Sequence, residues 1–185
     1  MKSVRNFAML IAASFFLNVA NAQEKTVEVG GAAMYPSKNI VENAVNSKDH
    51  TTLVAAVQAA GLVETLQSAG PFTVFAPTNE AFNMLPKGTV ETLLKPENKN
   101  MLAGILTYHV VAGRIDAAEL ARLIKEGSGK AELKTVAGGK LWAWMKDNKI
   151  MLTDEKGGMA TITIKNVYQS NGVIHVIDHV VLPRS

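Results

Sequence analysis

The sequence predicts an α+β fold, with helices gathered in the N-terminal half and β-hairpins in the C-terminal half. Three observations carry that prediction. Up to residue 127, apolar residues recur at three- and four-residue spacing. From residue 131 onward they alternate with polar ones. Pairs rich in glycine and asparagine punctuate this second half at hairpin intervals. Segregation of this kind argues against βαβ winding, in which helices and strands would alternate.

Residues 23–36 carry Gly30-Gly31 and Pro36 with little periodicity, and read as a loose N-terminal arm. Ser37 is placed to cap a helix bearing Ile40, Val41, Ala44 and Val45 on one face. Asp49 or Thr51 starts a second helix with Leu53, Val54 and Val57 inward and Gly61 as its stop. Leu62, Val63 and Leu66 continue as a short third helix. Residues 72–76 are a dense β-prone run, ended by Pro77. Thr78 then caps a helix with Ala81, Phe82 and Leu85 inward. Residues 89–94 form another short helix, and Pro96 pre-sets the first turn of the next, which carries Met101, Leu102, Ile105 and Leu106. Asp116 and Glu119 resemble a capping box opening a helix with Leu120, Leu123 and Ile124 inward. Strands are expected at 131–136, 140–146, 149–153, 160–168 and 173–182, joined by turns at Gly138-Gly139, Asp147-Asn148, Gly157-Gly158 and Asn171-Gly172.

The ends and the composition bound the class. A short basic lead, Lys2 and Arg5, precedes an apolar run at 7–19 and the small residues Ala20-Asn21-Ala22. This pattern reads as a secretory signal over residues 1–22. The run is short for a membrane span, which needs roughly 20 residues. Cleavage takes Lys2 and Arg5 away and leaves 17 basic against 16 acidic side chains, about +1 with histidine neutral. No block of like charges stands out along the chain, so a basic nucleic-acid-binding face is not expected. There is no cysteine, which excludes disulfides, thiolate metal sites and an N-terminal lipid on cysteine. A secreted or periplasmic protein follows, with no membrane span after signal cleavage. Residues 23–36 form its arm, and 37–185 a single domain.

Three segments in order resemble the fasciclin domain family: GPFTVFAPTNEAF at 70–82, LTYHVVAGR at 106–114, and NGVIHVIDHVVLP at 171–183. The resemblance covers roughly residues 37–183. It implies a sandwich or wedge of two β-sheets with helices packed around one side. It also implies a non-enzymatic module of adhesion or surface interaction, whose partner is a surface or matrix protein or a glycan. Family members often carry tandem copies, whereas this chain has one, so it lacks the avidity that linked sites supply. Because some fasciclin-like proteins of photosynthetic organisms bind carotenoids, the resemblance also allows a carrier of a lipid or carotenoid.

Four residues are candidates for contact. Tyr108 and His109 match the family's Tyr-His motif, which is implicated in cell attachment in animal relatives. The same two residues also suit a half-buried strand with the hydroxyl and imidazole hydrogen-bonded inside, and packing is the favoured reading. Trp142 and Trp144 share one strand face with Lys140 and Lys146. They form either an exposed contact surface or a packed pair edged by lysine stems, with the two readings evenly balanced. Met145, Met151 and Met159 fall in the same hairpins and would line a soft apolar groove for the carrier reading.

No catalytic, metal or cofactor site is expected. His175 and His179 lie four residues apart on an expected strand, roughly 13 Å, too far to share a metal. Thr78 has no base at a defined spacing, and Asp154-Glu155 read as a solvated turn. The chain carries no G-x-S-x-G, P-loop, H-E-x-x-H or G-x-G-x-x-G motif.

Overall fold

A computed structural model describes residues 25–184. The expected signal segment, residues 1–22, lies outside them. The described chain opens on a hairpin of β1 (Val27–Val29) and β2 (Ala32–Met34). From residue 25 on, the segment read as a loose arm is thus ordered. Each strand has three residues, too few for a period of two to show. Gly30 and Gly31, at φ 59° and 74°, make the tight turn that joins them. Val29 and Met34 point into the core.

Helices follow in quick succession: α1 (Ile40–Ala44), α2 (Thr51–Ala60), α3 (Val63–Gln67), α4 (Asn79–Asn83), α5 (Thr89–Leu93) and α6 (Lys99–Tyr108). The cap of α1 is Asn39, not Ser37. Asn39 accepts from the Glu42 amide at 2.9 Å while the Glu42 carboxylate accepts from the Asn39 amide at 2.8 Å, a reciprocal pairing that Ser37 stands too early to make. Thr78 and Asp116 cap as expected, Thr78 on α4 and Asp116 on α7 (Ala117–Glu126). Gly61 ends α2 in the left-handed region.

The strands β3 (Phe72–Pro77), β4 (Val110–Ala112), β5 (Lys130–Lys134), β6 (Lys140–Lys146), β7 (Lys149–Thr153), β8 (Met159–Gln169) and β9 (Gly172–Ile177) form one seven-stranded sheet in the order β4-β3-β9-β8-β7-β6-β5. The β3–β9 pair is parallel and runs from Phe72↔Gly172 to Pro77↔Ile177; every other pair is antiparallel. Strands almost 100 residues apart in sequence therefore sit side by side. β8 makes the two layers expected from the sequence out of this single sheet. Its register shifts at Ile162/Ile164 and Ile164/Val167 let it bend from one layer into the other. The sheet curls until its ends meet at the Val111↔Thr135 bridge, leaving it nearly closed into a barrel.

Two cores result. Leu53, Val57, Leu66, Leu102 and Leu106 of the helices pack on Val74, Ala76, Ile174 and Val176 of the central strands. The inside of the curled sheet holds Phe75, Leu141, Leu152, Ile162 and Ile177, closed by Leu120 and Ile124 of α7. β3 and β9 are thus covered on both faces, which is why their sequences run almost without polar residues. Gly172 is required at the seam: a Cβ there would stand 2.1 Å from the Phe72 carbonyl oxygen.

Two boundaries differ from the sequence expectation. Tyr108 closes α6 and His109 is its C-cap, instead of both lying in a strand. The apolar run from Tyr108 to Val111 looks extended, but the first two residues complete the helical turn begun at Leu102 and Ile105. The last strand stops at Ile177, not at residue 182. From Val181 the chain is held by side chains instead of a ladder.

Candidate functional site

Tyr108 and His109 are buried, at 0% and 2% exposure. The Tyr108 hydroxyl donates to the Lys140 carbonyl at 2.5 Å and accepts from the Glu155 amide at 3.2 Å. Burial, only partly offset by that amide, pushes its phenol up to about 12. His109 accepts the Val181 amide at Nε2 (3.2 Å), so its proton sits on Nδ1, which donates to the Ile105 carbonyl at 2.9 Å. Desolvation lowers its pKa to about 4, so the ring is neutral in ordinary solution. The pair joins α6 to the start of β6, the turn after β7 and the C-terminal segment.

The Asp154-Glu155 turn, expected to be solvated, is the other half of this staple. Asp154 is 4% exposed. Its Oδ1 accepts from the amides of Lys156 and Gly158 at 2.9 and 2.7 Å, and Oδ2 from that of Leu182 at 2.8 Å. Glu155 accepts from the amides of Lys140 and Arg184. Those two bonds hold its carboxyl below the usual range. A Gly-rich turn read from sequence alone gives no sign that a distant C-terminal segment will bring donors to it.

His175 and His179 part company. His175 is fully buried, stacked on Phe75 with ring centroids 5.8 Å apart. It accepts the Asn166 amide at Nδ1 and donates from Nε2 to the Ile115 carbonyl. His179 is on the surface beside Asp178, at 2.9 Å. Among the described residues no group of three or more His, Asp or Glu is placed to hold a metal ion.

Trp142 and Trp144 occupy the outer face of the β5–β6–β7–β8 layer, half-exposed. Register places Glu132 and Thr153 beside Trp142, and Lys130 and Met151 beside Trp144. Trp144 donates from Nε1 to Thr153 Oγ1 at 3.0 Å, a diagonal bond to the next strand that pins the indole across the sheet. The Lys130 ammonium sits over the Trp142 ring, 4.8 Å from its centroid. The same face carries Lys134, Lys140, Lys146 and Lys149, and the exposed Met159. The structure therefore separates the four candidates: one pair staples the interior, the other lies on open sheet.

A cavity of about 110 Å3 lies on the helix side of the sheet, lined by Leu53, Val57, Leu66, Val74, Leu106 and His50 among others. An apolar void of roughly 150 Å3 holds a single benzene, so this one has no room for a lipid tail or a polyene. Met145, Met151 and Met159 do not line it. Met145 points to the opposite face of the sheet from the tryptophans, whereas Met151 and Met159 lie on the tryptophans' face, so the three methionines do not line one groove.

The family model described as "Fasciclin domain" matches residues 48–183. Protein sll1483 of Synechocystis is 51% identical over 160 residues, spanning 86% of this chain and 82% of its own length. Immunogenic protein MPB70 of Mycobacterium bovis is 35% identical over 145 residues, 76% of this chain and 66% of that protein. The pig transforming growth factor-beta-induced protein ig-h3 is 39% identical over 131 residues, 71% of this chain but 17% of that far longer protein. Among solved structures, a FAS1 domain pair from the insect cell adhesion molecule Fasciclin I superposes with a TM-score of 0.71 at 15% identity, covering 86% of this chain and 58% of that one.

Proposed function

The chain belongs to the fasciclin domain family, and from that premise we propose that it is an exported, non-enzymatic interaction module that attaches to cell-surface or matrix material. The observation that carries this reading is the outer face of β5–β8. It holds both tryptophans and five lysines, and α7 packs against the opposite face of the same strands. Indole rings left partly exposed on a rigid sheet supply contact area at little entropic cost. Family membership supports an interaction role, and the signal-like sequence pattern of residues 1–22 supports export. In the attachment-related Tyr-His motif, Tyr108 and His109 act here through the scaffold, Tyr108 by fixing the start of β6 and His109 by holding Val181 of the C-terminal segment. The carrier reading has less support, because the apolar cavity behind the helices is too small for the ligands it would need, and the roomier cleft of about 510 Å3 beside Met145 is lined also by Asn148, Lys149, Thr161, Thr163 and Lys165.

The test is attachment of the mature protein to the producing cells and to their shed matrix. Changing both Trp142 and Trp144 to alanine is expected to reduce attachment about tenfold or more, with the melting transition within a few degrees of the parent. Unchanged attachment in a folded variant contradicts the proposal. So does a lipid or pigment recovered in stoichiometric amount from the native protein, which would favour the carrier reading.

A further inference from the structure

The geometry points to an anionic polysaccharide, a uronate-bearing chain, as the ligand of the Trp142–Trp144 face; this rests on the reading of the protein as an exported interaction module. Two features of the face are not needed by the sheet itself. First, lysines stand directly opposite lysines: Lys146↔Lys149 across β6 and β7, and Lys134↔Lys140 across β5 and β6. Like charges directly across a ladder destabilise it. Lysines on β5 also blunt an edge strand against aggregation, but β6 and β7 are interior strands with no edge to protect. Second, the charge is one-sided. Five lysines share the face with the Glu132 carboxylate, which lies 3.0 Å from Lys140. Among the described residues Lys130, Lys134, Lys146 and Lys149 have no ion-pair partner. The whole precursor has a net charge of only +3, so the positive charge is concentrated here instead of spread over the surface.

The arrangement fits a sugar bearing a carboxylate. Trp144, fixed by its bond to Thr153, offers an indole plane on which the apolar C–H face of a pyranose can lie. Lys146 lies two residues along the same strand with Lys149 opposite it, so two lysines stand at one end of the plane where carboxylates would project, and Lys130, opposite Trp144 in register, reaches to the other end. Trp142, about 7 Å along the strand, already has the Lys130 ammonium over its ring, which places a cation beside the Trp144 platform for the carboxylate of a neighbouring sugar. A neutral glycan would leave the lysines unused, and an apolar protein surface would bury them at a cost. Single-stranded nucleic acid shares the polyanion chemistry, but an exported protein meets polysaccharide in the hydrated layer outside the cell.

The test uses the mature protein with four probes: polygalacturonate, dextran, oligothymidylate and polyglutamate. Polygalacturonate is expected to bind saturably, shift the tryptophan emission, and weaken several-fold between about 0.05 and 0.3 M salt. Dextran is expected not to bind. Trp144→Ala, and separately Lys146→Gln with Lys149→Gln, are expected to weaken polygalacturonate binding about tenfold in calorimetry, with melting curves near the parent. The inference is overturned if polygalacturonate fails to bind, if dextran binds equally, or if oligothymidylate or polyglutamate binds more tightly. It is also overturned if the folded variants bind polygalacturonate like the parent. Attachment to whole cells, measured on the same variants, separates this from the broader reading. Loss of attachment in the tryptophan variants without polygalacturonate binding sinks the ligand class alone, and no loss of attachment sinks both.

Discussion

Tyr108 shows how one side chain can serve as core and staple together. Its ring is fully enclosed, and its hydroxyl joins the start of β6 to the turn after β7. Tyr108→Phe keeps the ring and leaves the Glu155 amide without its partner, which should cost about 1–3 kcal/mol. Tyr108→Ala also removes the ring and should cost about 3–5 kcal/mol. Urea unfolding of the two variants checks the order; equal losses, or none, contradict it. His109 and His175 add a pH dependence. Both are buried and neutral, each accepting a backbone amide at the nitrogen that protonation would block. His50, also buried, is lowered by desolvation too. All three bind a proton more weakly folded than unfolded, where histidine titrates near 6.5. The unfolded chain therefore gains protons first as pH falls. Stability is full above about pH 6.5 and declines as pH drops toward 4, the value for His109. His109 alone accounts for a loss on the order of 3 kcal/mol. A melting temperature that stays level from pH 7 to 4.5 contradicts these burial assignments.

At the scale of elements, legibility followed where each signal resides. β6 and β7 lie where their alternation places them, because half-buried hairpin strands with local turns carry the whole signal in adjacent residues. Asp147 and Asn148 both take positive φ, as the turn between them requires. The β1–β2 hairpin escaped notice because three residues cannot show a period. Tyr108 and His109 escaped as helix residues because β-prone valines follow them directly. Asp154 escaped because its third donor, Leu182, is 28 residues away. The tryptophan face was legible as a shared strand face, but its uncovered state depends on where α7 and the helices pack, and no local pattern records that. The seam between β3 and β9 is the element most exposed to a single change. Asn171 accepts the Ile40 amide and donates to the Leu66 and Ser68 carbonyls, tying the entry of β9 to α1 and α3. Next to it, Gly172→Ala would drive a methyl into the Phe72 backbone. The expected cost is about 3 kcal/mol, the upper end for overpacking because the clash is with backbone, read as a lowered urea midpoint. A midpoint within error of the parent would mean the two strands do not lie as close as described.

Over the whole molecule, the two cores and the two faces of the sheet divide the work. The helix side and the barrel interior consume the aliphatic residues, and the staples from Tyr108, His109 and Asp154 hold the C-terminal segment to both. What remains outside is a rigid sheet face whose tryptophans and lysines the fold does not use for its own closure. That division is the central claim, and the composition offers a direct test. The chain has two tryptophans, and both lie on this face, so intrinsic tryptophan emission reports on it alone. Acrylamide quenching of the mature protein should find both indoles accessible. Each single alanine variant should remove a substantial share of a quenchable, red-shifted signal. Blue-shifted emission that acrylamide barely touches would show the face covered in solution, by the N-terminal segment or by a second copy, and the account of an open binding surface would fail.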